Sequence, residues 1–117
     1  MLLLLIFCFN SQVIAQSNTK KKPTNTVKKA NPAIEQGRIL ISRTDCLSCH
    51  KPAIKLIGPS FHDIALKYAP TDENYALLIQ KVIKGGSGNW GPMAMSPHAG
   101  LSDAEVKKMI DYILSFK

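Results

Sequence analysis

Cys46-Leu47-Ser48-Cys49-His50 decides how this chain is read. Three residues is nearly one helical turn, so two thiols at this spacing lie on one side of the backbone. Both can then reach the two vinyl groups of a single porphyrin. His50, the next residue, lies beneath the ring, where it can ligate iron. C-x-x-C-H is the attachment pattern of c-type haem. Three rival readings use the same residues less fully. A structural zinc site needs four ligands, and His62 and His98 would complete a set, but neither continues the finger spacing. A thioredoxin-like redox pair wants a βαβ context, and no alternating strand pattern is present. A plain disulfide leaves His50 without a task.

Upstream of the motif the chain is two unlike pieces. Residues 1–15 hold twelve hydrophobic residues and no charge. The run Leu2 to Phe9 breaks at Asn10-Ser11-Gln12, far short of the ~20 apolar residues of a bilayer span. Val13-Ile14-Ala15 resembles a signal peptidase site before Gln16. The expectation is a cleaved export signal, with an uncleaved anchor as the rival. No Lys or Arg precedes the apolar run, a departure from the usual signal. Cys8 follows bulky Phe7, which argues against a lipid-modified cysteine. Residues 16–31 carry five Lys and no acid, with almost nothing to bury. Such a segment does not offset its ordering entropy, so a disordered linker is expected.

Residues 32–117 read as helices joined by turns. Asn31-Pro32 supplies an N-cap and a Pro at the first helical position, opening a helix to about Thr44. It should bury Ile34, Gly37, Leu40 and Ile41. Ser60 with Asp63 resembles a capping box, with Phe61, Ile64, Ala65 and Tyr68 on one side. Pro70-Thr71 starts a third helix, burying Leu77, Leu78, Val82, Ile79 and Ile83, which stops at Gly85-Gly86. Ser102 and Glu105 cap the last helix, where Val106, Met109, Ile110, Ile113 and Leu114 form an apolar stripe. Four short helices make a thin core, and a haem would supply buried apolar mass.

Between the last two helices, residues 85–97 form a Gly- and Pro-rich loop with no periodicity. It holds the only tryptophan, Trp90, and two methionines, Met93 and Met95. Glycines allow such a loop to approach a flat ligand closely. A thioether is a suitable soft ligand for haem iron.

Together, Gly37, the Cys46–His50 motif, Gly58-Pro59, Tyr68, the Gly-x-Trp-Gly-Pro-x-x-Met run and the capped last helix resemble a class I monohaem cytochrome c of the short bacterial type. The resemblance implies an all-α fold of about four short helices around one covalent haem c. It implies thioethers at Cys46 and Cys49 and His50 as proximal ligand. It also implies that the Pro59 carbonyl accepts the proximal His N–H, and that the Trp90 indole meets a haem propionate. Met95 matches the distal ligand, so His50 and Met95 would hold the iron. Met93, two residues earlier, and His98 stay open as alternatives. Gly37 matches the site where the first helix crosses the last, near Tyr112 or Met109. Ala94 and Ser96 stand where the family often has Pro beside the ligand Met.

The implied function is electron transfer, with iron cycling between Fe(III) and Fe(II) and no enzymatic activity. The alternative is a haem with a weak or open distal site, acting as a peroxidase or gas sensor. Partners would be redox proteins docking transiently with a monomeric carrier in the periplasm. The net charge is +7, but five Lys lie in residues 16–31, and residues 32–117 carry ten basic and eight acidic residues. The balance therefore argues against a nucleic-acid partner. The excess charge then belongs to a solvated spacer or, as the second reading, to a tether that associates with an anionic membrane surface through the Lys-rich linker.

Overall fold

The computed structural model describes residues 31–117. The export signal and all but the last residue of the expected linker lie outside the described residues. Five helices and one hairpin follow in order: α1 (Pro32–Ser42), α2 (Cys46–Cys49), α3 (Phe61–Lys67), α4 (Asp72–Lys84), β1 (Gly86–Gly88), β2 (Gly91–Met95) and α5 (Asp103–Leu114). Among the described residues no helix is long and apolar enough to cross a membrane.

Local chemistry starts each main helix. Asn31 Oδ1 accepts from the Ala33 amide at 3.0 Å, and Pro32 follows at the first helical position, where its missing N–H costs nothing. Reciprocal capping boxes open α3 (Ser60 with Asp63) and α5 (Ser102 with Glu105). In each, the bond from Ser leads in lowering the acid's pKa or stands second to the backbone bond from the same Ser. Thr71 caps α4 through the Asn74 amide. Gly85, at φ 68°, ends it in a conformation that costs other residues strain.

Helix α5 is the hub. Val106, Met109, Ile110 and Leu114 are buried along it, as an i, i+3, i+4, i+8 stripe requires. Ala65 and Tyr68 of the α3 region pack on Val106, Ile110 and Leu114. Ile41 of α1 and Phe61 of α3 pack on Met109. Each full burial of such a side chain contributes ~1.5–3 kcal/mol. Tyr75 Oη donates to Asp111 Oδ1 at 2.6 Å, tying α4 to α5. Burial, and next this bond, push the Tyr75 hydroxyl up to about 12.

Three expectations need correction. Leu77 is exposed; the packed face of α4 is Tyr75, Leu78, Ile79, Val82 and Ile83. Positions 75, 79 and 82 share one side, and residue 77 lies about 200° around the helix from residue 75. The first helix ends at Ser42, two residues early, because the Arg43 and Thr44 amides close tighter turns onto Leu40 and Ile41. The 85–97 loop contains a two-stranded antiparallel hairpin, with Gly86 opposite Met95 and Gly88 opposite Gly91. Gly86, Gly88 and Gly91 all have φ above 100°, so glycines build a ladder that no apolar alternation announces.

Gly37 sits where α1 crosses α5. A Cβ there would collide with the Lys108 carbonyl and lie 3.0 Å from Tyr112 Cβ. Gly37→Ala gains about 1 kcal/mol of helix propensity but overpacks this crossing, which costs about 1–3 kcal/mol. The expected result is a net loss of about 1 kcal/mol in guanidinium unfolding of the haem-loaded protein. A midpoint at or above the parent's would contradict the close crossing.

Candidate functional site

The short α2 turn carries both cysteines, and each is half-buried at the edge of the site. The backbone leaves the helix at His50 (φ −115°, ψ 140°) after its amide donates to the Cys46 carbonyl at 2.9 Å. The following loop then folds back, with the Gly58 amide donating to the Cys49 carbonyl at 2.9 Å. This return places the Pro59 carbonyl 2.7 Å from His50 Nδ1. A carbonyl only accepts, so Nδ1 carries the proton and Nε2 presents a lone pair. Gly58 makes the approach possible: a Cβ there would lie 2.5 Å from His50 Cε1 and 2.9 Å from Nδ1. Phe61 stacks beside the imidazole, with ring centroids 6.2 Å apart and an interplanar angle of 19°. The ring is thus fixed by a hydrogen bond, a glycine and an aromatic wall.

The hairpin forms the facing side. Lys67 holds its turn: Nζ donates to the Asn89 carbonyl at 2.9 Å and lies 4.4 Å from the Trp90 ring centre. Met95 at the end of β2 is half-buried, while Met93 is 67% exposed. Beyond Met95 the chain presses onto the end of α4. A Cβ at Gly85 would collide with the Met95 carbonyl, and the His98 amide donates to the Val82 and Ile83 carbonyls.

Between these two sides lies a cavity of about 190 Å³. Ile41, Phe61, Tyr68, Met109, Ile110 and Ile113 give it an apolar wall drawn from both core clusters. Cys46, Cys49, His50, Pro59, Trp90 and Met95, the six residues singled out from the sequence, all border it. The donor set suits a flat apolar iron chelate: two thiols on one edge, an imidazole with a free Nε2, and a thioether on the hairpin. His62 is not there; it is exposed, and its Nδ1 donates to the Phe116 carbonyl at 2.7 Å. The Cys₂His₂ zinc reading therefore loses a ligand.

Asp45 was not singled out from the sequence and belongs to the site. It borders the cavity, and its Oδ1 lies 2.8 Å from His98 Nε2. The only sequence signal was an acid directly before Cys46. The hydrogen bond from His98, and next its charge, hold the Asp45 carboxyl below the usual carboxylate range. At so exposed a carboxylate the stabilisation tied to this depression is small; it is present above the ordinary Asp pKa and is lost as pH falls through the lowered one.

The family model "Cytochrome c" matches residues 34–117. The chain belongs to the cytochrome c family. It is 40% identical over 78 residues to cytochrome c-552 of Nitrosomonas europaea, covering 67% of this chain and 76% of that protein. It is 37% identical over 81 residues to cytochrome c-551 of Pseudomonas denitrificans, covering 69% and 98% of the two chains. The crystal structure of wild-type N. europaea cytochrome c552 superposes with a TM-score of 0.63 at 39% identity, covering 68% of this chain and 99% of that one. This cytochrome c is an electron-transfer protein of the small bacterial class I monohaem type, with a mostly helical fold. It carries haem c bound covalently through Cys46 and Cys49.

Gly58→Ala should push the His50 ring off the Pro59 carbonyl. If His50 ligates the iron, a weaker bond at Nδ1 would make the imidazole a poorer donor, which disfavours the ferric state. The reduction potential, measured by redox titration, should therefore rise, with stability lower by about 1–3 kcal/mol. An unchanged potential would contradict the positioning role given to Gly58.

Proposed function

We propose that this cytochrome c is an exported, single-haem carrier whose iron is held by His50 and Met95 and exchanges electrons with transient protein partners. The observation that carries the reading is the placement of the His50 imidazole and the half-buried Met95 thioether around one apolar cavity beside the cysteine pair. Met95 is preferred to Met93 because the latter side chain is two-thirds exposed. In this reading residues 1–15 are a signal peptide, 16–31 a Lys-rich linker to the folded domain, and the carrier works in the periplasm.

Bound haem supplies a one-electron Fe(III)/Fe(II) couple, and a His/Met ligand pair raises its potential. The protein's own residues do the rest. Pro59 fixes the His50 tautomer and orientation through its carbonyl. Ile41, Phe61, Met109 and Ile110 exclude water from one face, which also disfavours the more highly charged ferric state. Trp90, beside Lys67, offers an indole N–H at the hairpin turn for a haem carboxylate. With His50 and Met95 both holding the iron, no site would be left for substrate, and the chemistry would stay at electron exchange.

The rim suits brief docking. Ile57 and Met93 border the cavity and are 55% and 67% exposed, and Ile54 nearby in the chain is 70% exposed. Lys51 and Lys55 lie on the same loop. A small apolar rim with few charges favours fast release over tight binding.

The absorption spectrum of the oxidised protein tests the ligand set. The parent and Met93→Leu should show the far-red sulfur-to-iron band, and Met95→Leu should lose it. A high-spin parent that binds peroxide or carbon monoxide would replace the carrier reading with a reactive haem.

A further inference from the structure

The pair Asp45–His98 joins residues 53 apart in sequence through a 2.8 Å contact. Each belongs to a different side of the cavity. Asp45 is the N-cap of α2 and directly precedes Cys46, yet its carboxylate makes no capping bond to its own helix. N-cap aspartates ordinarily spend their carboxylate on the second or third amide of the helix. This one reaches across to His98 instead.

His98 follows Met95 by three residues, through Ser96 and Pro97. Its amide is anchored to the Val82 and Ile83 carbonyls at the end of α4. Its side chain is only 15% exposed, against 72% for Asp45. His98 Nδ1 is buried and has no hydrogen-bond partner among the described residues. Asp45 is therefore the ring's only hydrogen-bond partner among the described residues. The Asp45 carboxylate, the Cys46 sulfur and a His98 ring nitrogen lie within 4.8 Å of one another, so the tie closes at the cysteine edge.

The turn of the hairpin is held separately, by Lys67 on Asn89 and Trp90. Met95 lies between the two fastenings. A swing of the Met95 segment away from the cavity must carry the next residues with it, and His98 resists that motion through Asp45.

We propose that Asp45 and His98 form a latch that holds the Met95 segment closed against the cysteine-bearing turn, making both of them positioning residues for the distal ligand. The proposal rests on the Met95 reading above. The latch acts on opening of this segment, since Asp45 is mostly exposed and His98 follows Met95 by three residues.

The test uses haem-loaded full-length protein and imidazole, a ligand that binds ferric iron only when the distal side opens. Asp45→Ala and His98→Leu should each raise imidazole affinity about three- to fivefold. The double variant should rise no further than either single one, because the two residues act as one tie. Asp45→Asn keeps an oxygen acceptor for the His98 Nε2–H and should restore most of the parent value. Guanidinium midpoints should shift little, which separates local opening from global loss of stability. Affinities within a factor of about 1.5 of the parent for both single variants, or additive effects in the double variant, overturn the latch. A parent with the far-red band and those outcomes refutes the latch alone. A parent without the band refutes the Met95 reading and the latch together.

Discussion

The apolar wall of the cavity is the constraint on which this structure depends. Ile41, Phe61, Met109 and Ile110 are nearly fully buried, yet each also borders the cavity. Core of this kind is complete only with an apolar group laid against it. Among the described residues just eight hydrophobic side chains are buried, in two clusters, which leaves little else to offset the ordering entropy. Covalent attachment at Cys46 and Cys49 answers that need, because the group never leaves. The α1–α5 crossing at Gly37 and the capping boxes shape the wall; the haem gives the wall something to cover.

The two sides of the cavity are built by different physics. The His50 side is rigid and local: a one-turn helix, a loop that folds back, and a glycine that lets its backbone pass the imidazole. The Met95 side is a glycine-rich hairpin with little burial of its own. Its position comes from fastenings at its ends, to Lys67, to the end of α4 and to Asp45. His50, the proposed proximal ligand, is thus set by local chain geometry, and Met95, the proposed distal one, by tertiary contacts. Local opening should favour the second.

Much of the fold was legible because its signals are short-range. Asn31-Pro32, Ser60 with Asp63, and Ser102 with Glu105 start helices within one turn of themselves. The α5 stripe and the Cys46–His50 spacing are equally local. Leu77 was misread because a run of four apolar residues in α4 offers two candidate faces, and only packing on α5 chooses between them. The hairpin was invisible because its ladder uses glycines at positive φ, which read as turns. Asp45–His98 was out of reach for a simpler reason: nothing within either neighbourhood specifies a partner 53 residues away.

The central claim is that one group, bound through both cysteines and capped by His50, completes the fold. Trypsin should release residues 44–55 as one peptide, since cleavage follows Arg43 and Lys55 and is blocked at Lys51 by Pro52. Mass spectrometry of that peptide from the native host should give the peptide plus one haem, with no free thiol. A peptide of unmodified mass, or one lighter by two hydrogens as a disulfide, would contradict the account.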